Sequence, residues 1–418
     1  MEEVYLDNAA TTRAHPKVVE TVSSAMMEDY ANPSSLHDAG KQASSVLNGA
    51  RDVLSSHINA QRSEIIFTSG GTESDNLALR GVARAYQPEK KHIVISAIEH
   101  KAVLKAAEEL EREGFDVTRV GVDQKGRVDP RDVESALRSD TALVSVMTVN
   151  NEVGTVQPVN EIAKTAHDEG ALMHTDAVQA FGKMPLDVED LDVDLLSLSG
   201  HKIHGPKGVG ALYVRKGVKL YPAQVGGGQE HGRRAGTENV PGIAGLAEAV
   251  KLLSRKMSDR TERIRALRDQ LQQSIASKIG DAVFNGAGVE RAPHILSVSL
   301  KHVEINYLLR RLSSMGVYVT SGSACASESL ELSHVLTAMG LSNRIPIGPA
   351  STEKPRAPAK ASRPPDRLRV LLGGGLNPAP GIPVHLHLGG GLSELLPQPL
   401  DSGGKASLRG SGTGQGPR

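Results

Sequence analysis

Cysteine is nearly missing from this sequence: Cys325 is the single one in 418 residues. An internal disulfide is therefore excluded, and with no secretory signal the composition suits a reducing cytoplasm. An excess of charge is missing too. Lys plus Arg and Asp plus Glu both number 48, so the formal net charge is zero and nothing calls for a nucleic-acid partner. That balance conceals a split. From Arg344 onward ten Lys/Arg stand against four Asp/Glu, which leaves a mildly acidic body and a basic end. No apolar run approaches a membrane span, and the acidic start "MEEVYLDNAATT" has too few apolar residues for a signal peptide. No Walker sequence occurs and no GxGxxG follows a strand, which disfavours a nucleotide, and no internal repeat is present.

What is there, up to about Gly340, is an alternation of short β-branched runs with longer helical patterns. The runs "EIIFTS" (64–69), "HIVISA" (92–97), "ALVSVMTV" (142–149), "ALMHTD" (171–176), "DLLSLS" (194–199) and "GALYVR" (210–215) predict strands. Helical stretches at 73–86, 101–113 and 158–169 lie between them, so the pattern predicts βαβ units and a largely parallel sheet covered by helices. A long helical segment, about 240–279, leads to "HILSVSL" (294–300), a helix near 303–314, "VYVTS" and a helix after Cys325, together a smaller α+β domain.

Ligands of open α/β sheets bind at loops beyond the carboxyl ends of strands. Polar residues collect at those loops: "TSGGTES", "IEHK", "NNEVGT", "HTDAVQ" and "SGHKIHGPKG". Gly70, Gly71 and Thr72 open a helix and form a phosphate cradle, although a glycine turn with a helix cap fits equally well. Lys202 leaves a strand behind Ser199 and His201, and an enclosed lysine there can lose its proton and join an aldehyde. Alone it reads as a surface charge. With Asp176 at another strand end, the set supplies the cradle, lysine and ring-nitrogen acid that pyridoxal phosphate needs. Cys325, on the small-residue loop "VTSGSACASES", reads either as a stray thiol or as an accessible nucleophile.

The motifs "YLDNAATT", "NPSSLH", "TSGGTESDNLAL", "EHKAV", "VNNEVGTVQP", "HTDAVQ", "SGHKIHGPKGVG", "GTEN" and "SGSACAS" together resemble pyridoxal-phosphate cysteine desulfurases. These belong to the class V aminotransferase-like group serving nitrogen fixation and iron–sulfur assembly, and the resemblance covers about residues 3–343. It implies the fold type I architecture of such enzymes: an N-terminal segment (1–15) on the small-domain side, a large cofactor domain (16–255) and a small domain (256–343). It also implies a cytoplasmic homodimer without metal, nucleic acid or membrane.

By the same resemblance Lys202 carries the cofactor, Asp176 holds its ring nitrogen, Gln179 donates to its ring oxygen, and His100 stacks on the ring and moves protons. Gly71, Thr72, Ser199 and His201 resemble phosphate ligands, Thr237 a phosphate contact from the partner subunit, and Asn151 a group near the ring oxygen and substrate carboxylate. The implied reaction turns L-cysteine into L-alanine and leaves sulfur as a persulfide on Cys325, for a sulfur-acceptor or iron–sulfur scaffold protein. Selenocysteine lyase and a weakly active sulfur-transfer scaffold are the alternatives. The resemblance stops near Asn343, where the family's strand with a carboxylate-binding Arg should follow. Here 344–418 holds 12 Pro and 14 Gly and no aromatic residue, a composition expected to lack a packed core. Its abrupt start suggests a change of reading frame, and Arg344 is assigned no role.

Overall fold

The computed structural model of the chain describes residues 3–255, 257–301, 303–321, 333–341 and 383–387. Strand β1 (Val4–Tyr5) is followed by helices α1 (Pro16–Glu28) and α2 (Asp38–His57), then β2 (Ile65–Thr68) and α3 (Gly71–Tyr86). Next come β3 (His92–Ser96), α4 (Lys101–Arg112), β4 (Asp116–Val120), α5 (Pro130–Ala136), β5 (Thr141–Ser145), α6 (Val159–Asp168) and β6 (Leu172–Asp176). A short α7 (Val188–Leu191) leads to β7 (Leu195–Ser199) and β8 (Gly210–Val214). The remainder comprises α8 (Val240–Ser254), α9 (Met257–Lys278), β9 (Val283–Asn285), β10 (Ile295–Ser299), α10 (Ile305–Ser314), β11 (Val317–Tyr318), α11 (His334–Ala338) and β12 (Pro383–His387).

The central sheet has seven strands in the order β2-β8-β7-β6-β5-β3-β4. All pairings are parallel except those of β8, which runs against both neighbours. Every residue of β2, β3, β5, β7 and β8 is buried, as expected of a sheet covered on both faces. Side chains alternate between two apolar layers. Ile65, Phe67, Val94, Val144, Leu196 and Leu198 join the layer with Leu54 of α2 and Leu246 of α8. Ile66, Ile93, Ile95, Leu143 and Leu195 turn the other way, onto Leu77 and Val82 of α3 and Leu110 of α4.

A separate core joins Ile275 of α9, Leu296 and Val298 of β10, and Leu308 and Leu312 of α10. Its sheet has three strands in the order β12-β10-β9, both pairings antiparallel. The N-terminal strand β1 pairs in parallel with β11 on this side of the molecule.

The six anticipated strands are all present, with ends shifted by at most four residues. Strand β4 was not anticipated, because "DVTRV" interleaves Asp and Arg with valine; it is an edge strand, exposed enough to carry them. The segment 240–279 forms two helices, not one. The expectation of an unpacked tail needs a correction at one place: Pro383–His387 pairs antiparallel with β10 along five residue pairs. Backbone pairing needs no aromatic anchor, which is why composition did not reveal it. The rest of 344–418 lies outside the described residues, as does Cys325.

The edge strand β2 is closed by side chains. Arg51, from α2, donates to Ile65 O at 2.6 Å, and Glu230 Oε2 accepts from Phe67 N at 2.9 Å. The two side chains also form a bidentate ion pair, with Arg51 5% and Glu230 4% exposed. An ion pair thus occupies the outward N–H and C=O that a further strand would otherwise take.

Candidate active site

Strands β2, β3, β5, β6 and β7 run in one direction, so their carboxyl ends lie along one rim of the sheet. After β2 the chain turns at Gly70, whose φ of +152° is one that side-chain-bearing residues rarely adopt, and α3 begins. A Cβ on Gly71 would stand 2.8 Å from Val178 Cγ2, so glycine permits this helix start to press against the loop after β6. The neighbouring Ser199 is buried, whereas Thr72 is exposed.

Beyond β3, His100 caps α4, its Nδ1 accepting from Ala102 N at 3.2 Å. That bond requires an unprotonated Nδ1, so the neutral ring carries its proton on Nε2. His15 and His37 cap α1 and α2 in the same manner. Burial, followed in part by nearby Lys202 and His334, lowers the His100 pKa, while Asp176 opposes the shift. Asp176, 5% exposed, ends β6 and accepts from Val178 N at 2.9 Å. Burial raises its pKa, against the pull of His100, that N–H and Lys202.

Lys202 ends the 3-10 turn Gly200–Lys202 that follows β7 at once. Its Nζ donates to the carbonyls of Ala9 and Ala10. His201 faces Thr11 across 3.1 Å, and burial with nearby lysines holds its imidazole down to about 4. The backbone O of His201 accepts from Thr12 N and from Thr12 Oγ1, at 2.9 and 2.8 Å. The segment 9–12 is thereby fastened over the lysine turn.

The described structure thus brings Gly71, His100, Asp176, Ser199, His201 and Lys202 to one rim, and Asn151 lies in the turn midway along the loop after β5. Asn151 Oδ1 is buried and has no hydrogen-bond partner among the described residues. Gln179, 4% exposed, is held otherwise than expected: its Nε2 donates to Ala9 O at 2.9 Å, and its Oε1 accepts from Lys183 and faces His294. Thr237 is exposed on the segment that leads into α8. Arg234, three residues earlier, pairs with Glu73 in the first turn of α3 at 2.8 Å.

Three residues at this rim were not anticipated. Asp75, 1% exposed, has an oxygen within 4.8 Å of ligand atoms of both His100 and Asp176. Glu99, fully buried, accepts from Ser96 Oγ and from Met147 N, and burial pushes its carboxyl up to about 8. Desolvation and then Lys202 push the Lys183 ammonium far down. A signal for Asp75 existed: it stands in the buried stripe of α3 with Ala78, Leu79 and Val82, where an acid is out of place.

Downstream of Cys325, helix α11 packs onto the same rim. Ser333 caps it and donates to Glu152 Oε2, and His334 Nε2 lies 2.9 Å from Glu99 O. Val335, Leu336 and Met339 close on Ile98 and Val153.

Residues 4–354 match the family described as aminotransferase class-V. The chain belongs to that family. The match runs past residue 343, where the motif resemblance ended. A cysteine desulfurase of Trichormus azollae is 47% identical over 341 residues, covering 82% of this chain and 85% of its own. A solved "NifS-like protein" is 39% identical with a TM-score of 0.76, covering 82% of this chain and 91% of its own. Another solved structure, "SspA in complex with cysteine", is 37% identical with a TM-score of 0.73, over 81% and 95% of the two chains. For this class-V chain the α/β fold with a mostly parallel central sheet is that of the NifS-like relatives.

Proposed function

We propose that this class-V chain is a pyridoxal-phosphate-dependent cysteine desulfurase that converts L-cysteine to L-alanine and passes the sulfur to Cys325. The observation that carries the proposal is the meeting of Lys202, His100 and the buried Asp176 behind the glycine helix start of α3. The residues fit the cofactor. Asp176 is a buried acid suited to a protonated ring nitrogen, and α3 opens at Gly71 close beside Ser199, a helix start of the kind whose N–H groups meet phosphates. Asn151 Oδ1 is a buried polar atom that lacks a partner among the described residues.

Bound there, pyridoxal phosphate supplies an electron sink for the substrate's α-carbon. The chain's own residues do the rest. Lys202 would hold the cofactor covalently, and Gly71, Thr72, Ser199 and His201 would hold its phosphate through hydroxyl, imidazole and N–H donors. The neutral His201, held down to about 4, serves as a donor or acceptor without adding charge. His100, with its proton on Nε2, would move a proton beside Asp176 and Lys202. Asn151 and Gln179 would orient the ring oxygen and the substrate, Gln179 once its amide leaves Ala9 O.

The Cys325 thiolate would then bond to the substrate sulfur as the Cβ–S bond breaks. The bond's electron pair stays on the substrate, whose Cβ takes a proton to become the methyl group of alanine. The domain division at about 255 and a homodimer in which Thr237 reaches the partner's phosphate belong to the same proposal. So do a cytoplasmic setting and delivery of sulfur to an acceptor or iron–sulfur scaffold protein. The exposure of Thr237 supports the dimer. No helix among the described residues is long and apolar enough to cross a membrane.

The test is to incubate the purified chain with L-cysteine and measure alanine and sulfide in the presence of a thiol reductant. Equal yields of the two are expected, with sulfide abolished and the cofactor spectrum retained in Cys325→Ser. Sulfide release by that variant at the parent rate would refute the role of Cys325. No alanine from the parent would refute the activity.

A further inference from the structure

Three buried carboxyls crowd one end of the sheet: Asp75 from α3, Glu99 from the turn before α4, and Asp176 at the end of β6, with exposures of 1%, 0% and 5%. Acids so placed cannot all ionise, because each added charge is both desolvated and repelled by the others. The cationic and hydrogen-bonding groups nearby are not shared evenly. Asp176 has the Val178 N–H at 2.9 Å and feels both His100 and Lys202. Asp75 forms an ion pair with neither, although a His100 nitrogen lies within 4.8 Å of one of its oxygens. Its nearest basic side chain is His174, whose Nε2 lies 3.7 Å from Asp75 Oδ1.

That imidazole is fully buried between two hydroxyls, Ser145 Oγ at 2.8 Å from Nδ1 and Ser197 Oγ at 3.1 Å from Nε2. Burial holds it down to about 3, so it stays neutral. Asp75 Oδ1 itself is buried and makes no hydrogen bond among the described residues. Burial first, then Asp176, raise the Asp75 carboxyl well above the usual range, with Ser197 opposing and Glu99 adding to the shift.

We propose that Asp75 is a positioning residue: a neutral acid behind Asp176 that confines the negative charge of this acid cluster to the Asp176 carboxylate. The inference rests on the proposed cofactor role of Asp176. Its consequence is a division of labour between two acids whose oxygens lie within 4.8 Å. One holds a proton so that the other, which meets the cofactor's ring nitrogen, does not. The groups facing the pair are Ser197 and Lys202 from the β7 side, His174 from β6, and Glu99 and His100 from the turn before α4. None of them places a cation on Asp75.

The experiment has two arms, both on the full chain with pyridoxal phosphate bound. The first is the infrared difference spectrum between the parent and Asp75→Asn at pH 7.5 (about neutral, well above an ordinary carboxyl). The parent should show the carbonyl stretch of an un-ionised acid that the variant lacks; a carboxylate band in its place overturns the proposal. The second arm follows cofactor dissociation from its absorbance between about pH 6 and pH 8. Asp75→Leu replaces the polar neutral group within 4.8 Å of Asp176 with an apolar one and further desolvates that carboxylate, so Asp176 takes up a proton at higher pH and dissociation near pH 6 quickens about tenfold, the equivalent of one pKa unit. Asp75→Asn, a neutral amide of the same size, restores the parent profile. Dissociation from Asp75→Asn as fast as from Asp75→Leu, or a Leu profile equal to the parent's, overturns it. If Asp75→Leu does not fold, the infrared band and the Asn profile still decide. Failure of borohydride to fix the cofactor on Lys202 of the parent would instead overturn the cofactor role, and the infrared arm would still report the protonation of Asp75.

Discussion

At the scale of single residues, two lysines compete for the same description. Lys183 and Lys202 both stand at the rim, and enclosure pushes the Lys183 ammonium down. The difference lies in what they touch. Lys183 Nζ donates to Gln179 Oε1 at 2.9 Å, whereas Lys202 holds two backbone carbonyls of the segment above it. Borohydride reduction of the cofactor-loaded protein followed by peptide mapping is expected to place the label on Lys202, with Lys183, Lys207 and Lys216 unlabelled. Glu99 supports a second prediction. Its folded pKa of about 8 exceeds the unfolded value, so its stabilising contribution is complete in acid and is lost as pH rises toward 8. Glu99→Gln, which cannot ionise, should therefore match the parent near pH 4 and exceed it by a few kcal/mol near pH 8 (each pKa unit is about 1.4 kcal/mol). Urea midpoints across that range check it, and a parent that gains stability over the variant with rising pH would contradict the assignment. Lys202, Asp176 and His100 were legible because each ends a strand or opens a helix in a recognisable loop. Asp75 and Glu99 were not, because each stands in a polar motif, "GTESDN" and "IEHK", beside residues that read as the functional ones, and only the packing shows that they are buried.

At the scale of elements, strand positions were readable from β-branched runs, while edges were not. Strand β4 carries Asp116 and Arg119 in exposed positions, and its alternation is too polar to announce a strand. The opposite edge, β2, announces itself as a fully buried strand because side chains close it. Arg51 and Glu230 meet there across 179 residues of sequence, so no local pattern could foretell the pair. Glu230 also has left-handed backbone, φ +47°, as does His231 at +57°, a costly pair of conformations for residues other than glycine. The ion pair holds that turn in place. Glu230→Ala should then cost about 3–5 kcal/mol, the penalty of leaving a buried charge alone, and it should loosen the Arg234–Glu73 contact at the start of α3. The double variant Arg51→Met/Glu230→Leu should lose less than Glu230→Ala alone. Guanidinium unfolding of the three proteins measures this, and equal losses in the single and double variants would show that the charge left alone is not the cause.

At the scale of the whole molecule, two cores of unequal size imply unequal local stability. The layers on either side of the seven-stranded sheet enclose far more apolar side chains than the cluster of Ile275, Leu296, Val298, Leu300, Ile305, Leu308 and Leu312. Amide hydrogen exchange should be slower in β5, β6 and β7 than in β9 and α10. Deleting residues 344–418 removes β12 from the edge of β10, and should speed exchange in β10 while leaving β6 unchanged. Equal exchange in β10 with and without that segment would mean the pairing adds nothing. The larger architecture was legible from its alternating runs, but the pairing of Pro383–His387 was not, because a strand of five residues in a Pro/Gly-rich stretch carries no periodicity to stand out. One further consequence follows from the N-terminal segment. Val4 and Tyr5 pair with β11 in a two-stranded sheet of their own, and only Leu6, Asp7 and Asn8 separate them from the carbonyls that hold Lys202. That link is itself a turn, with Ala10 N and Thr11 N both donating to Asp7 O. Residues 4–12 thus join β11 to the lysine turn in one short hydrogen-bonded piece, so a displacement of β11 would be felt first at the two carbonyls that hold the Lys202 amine.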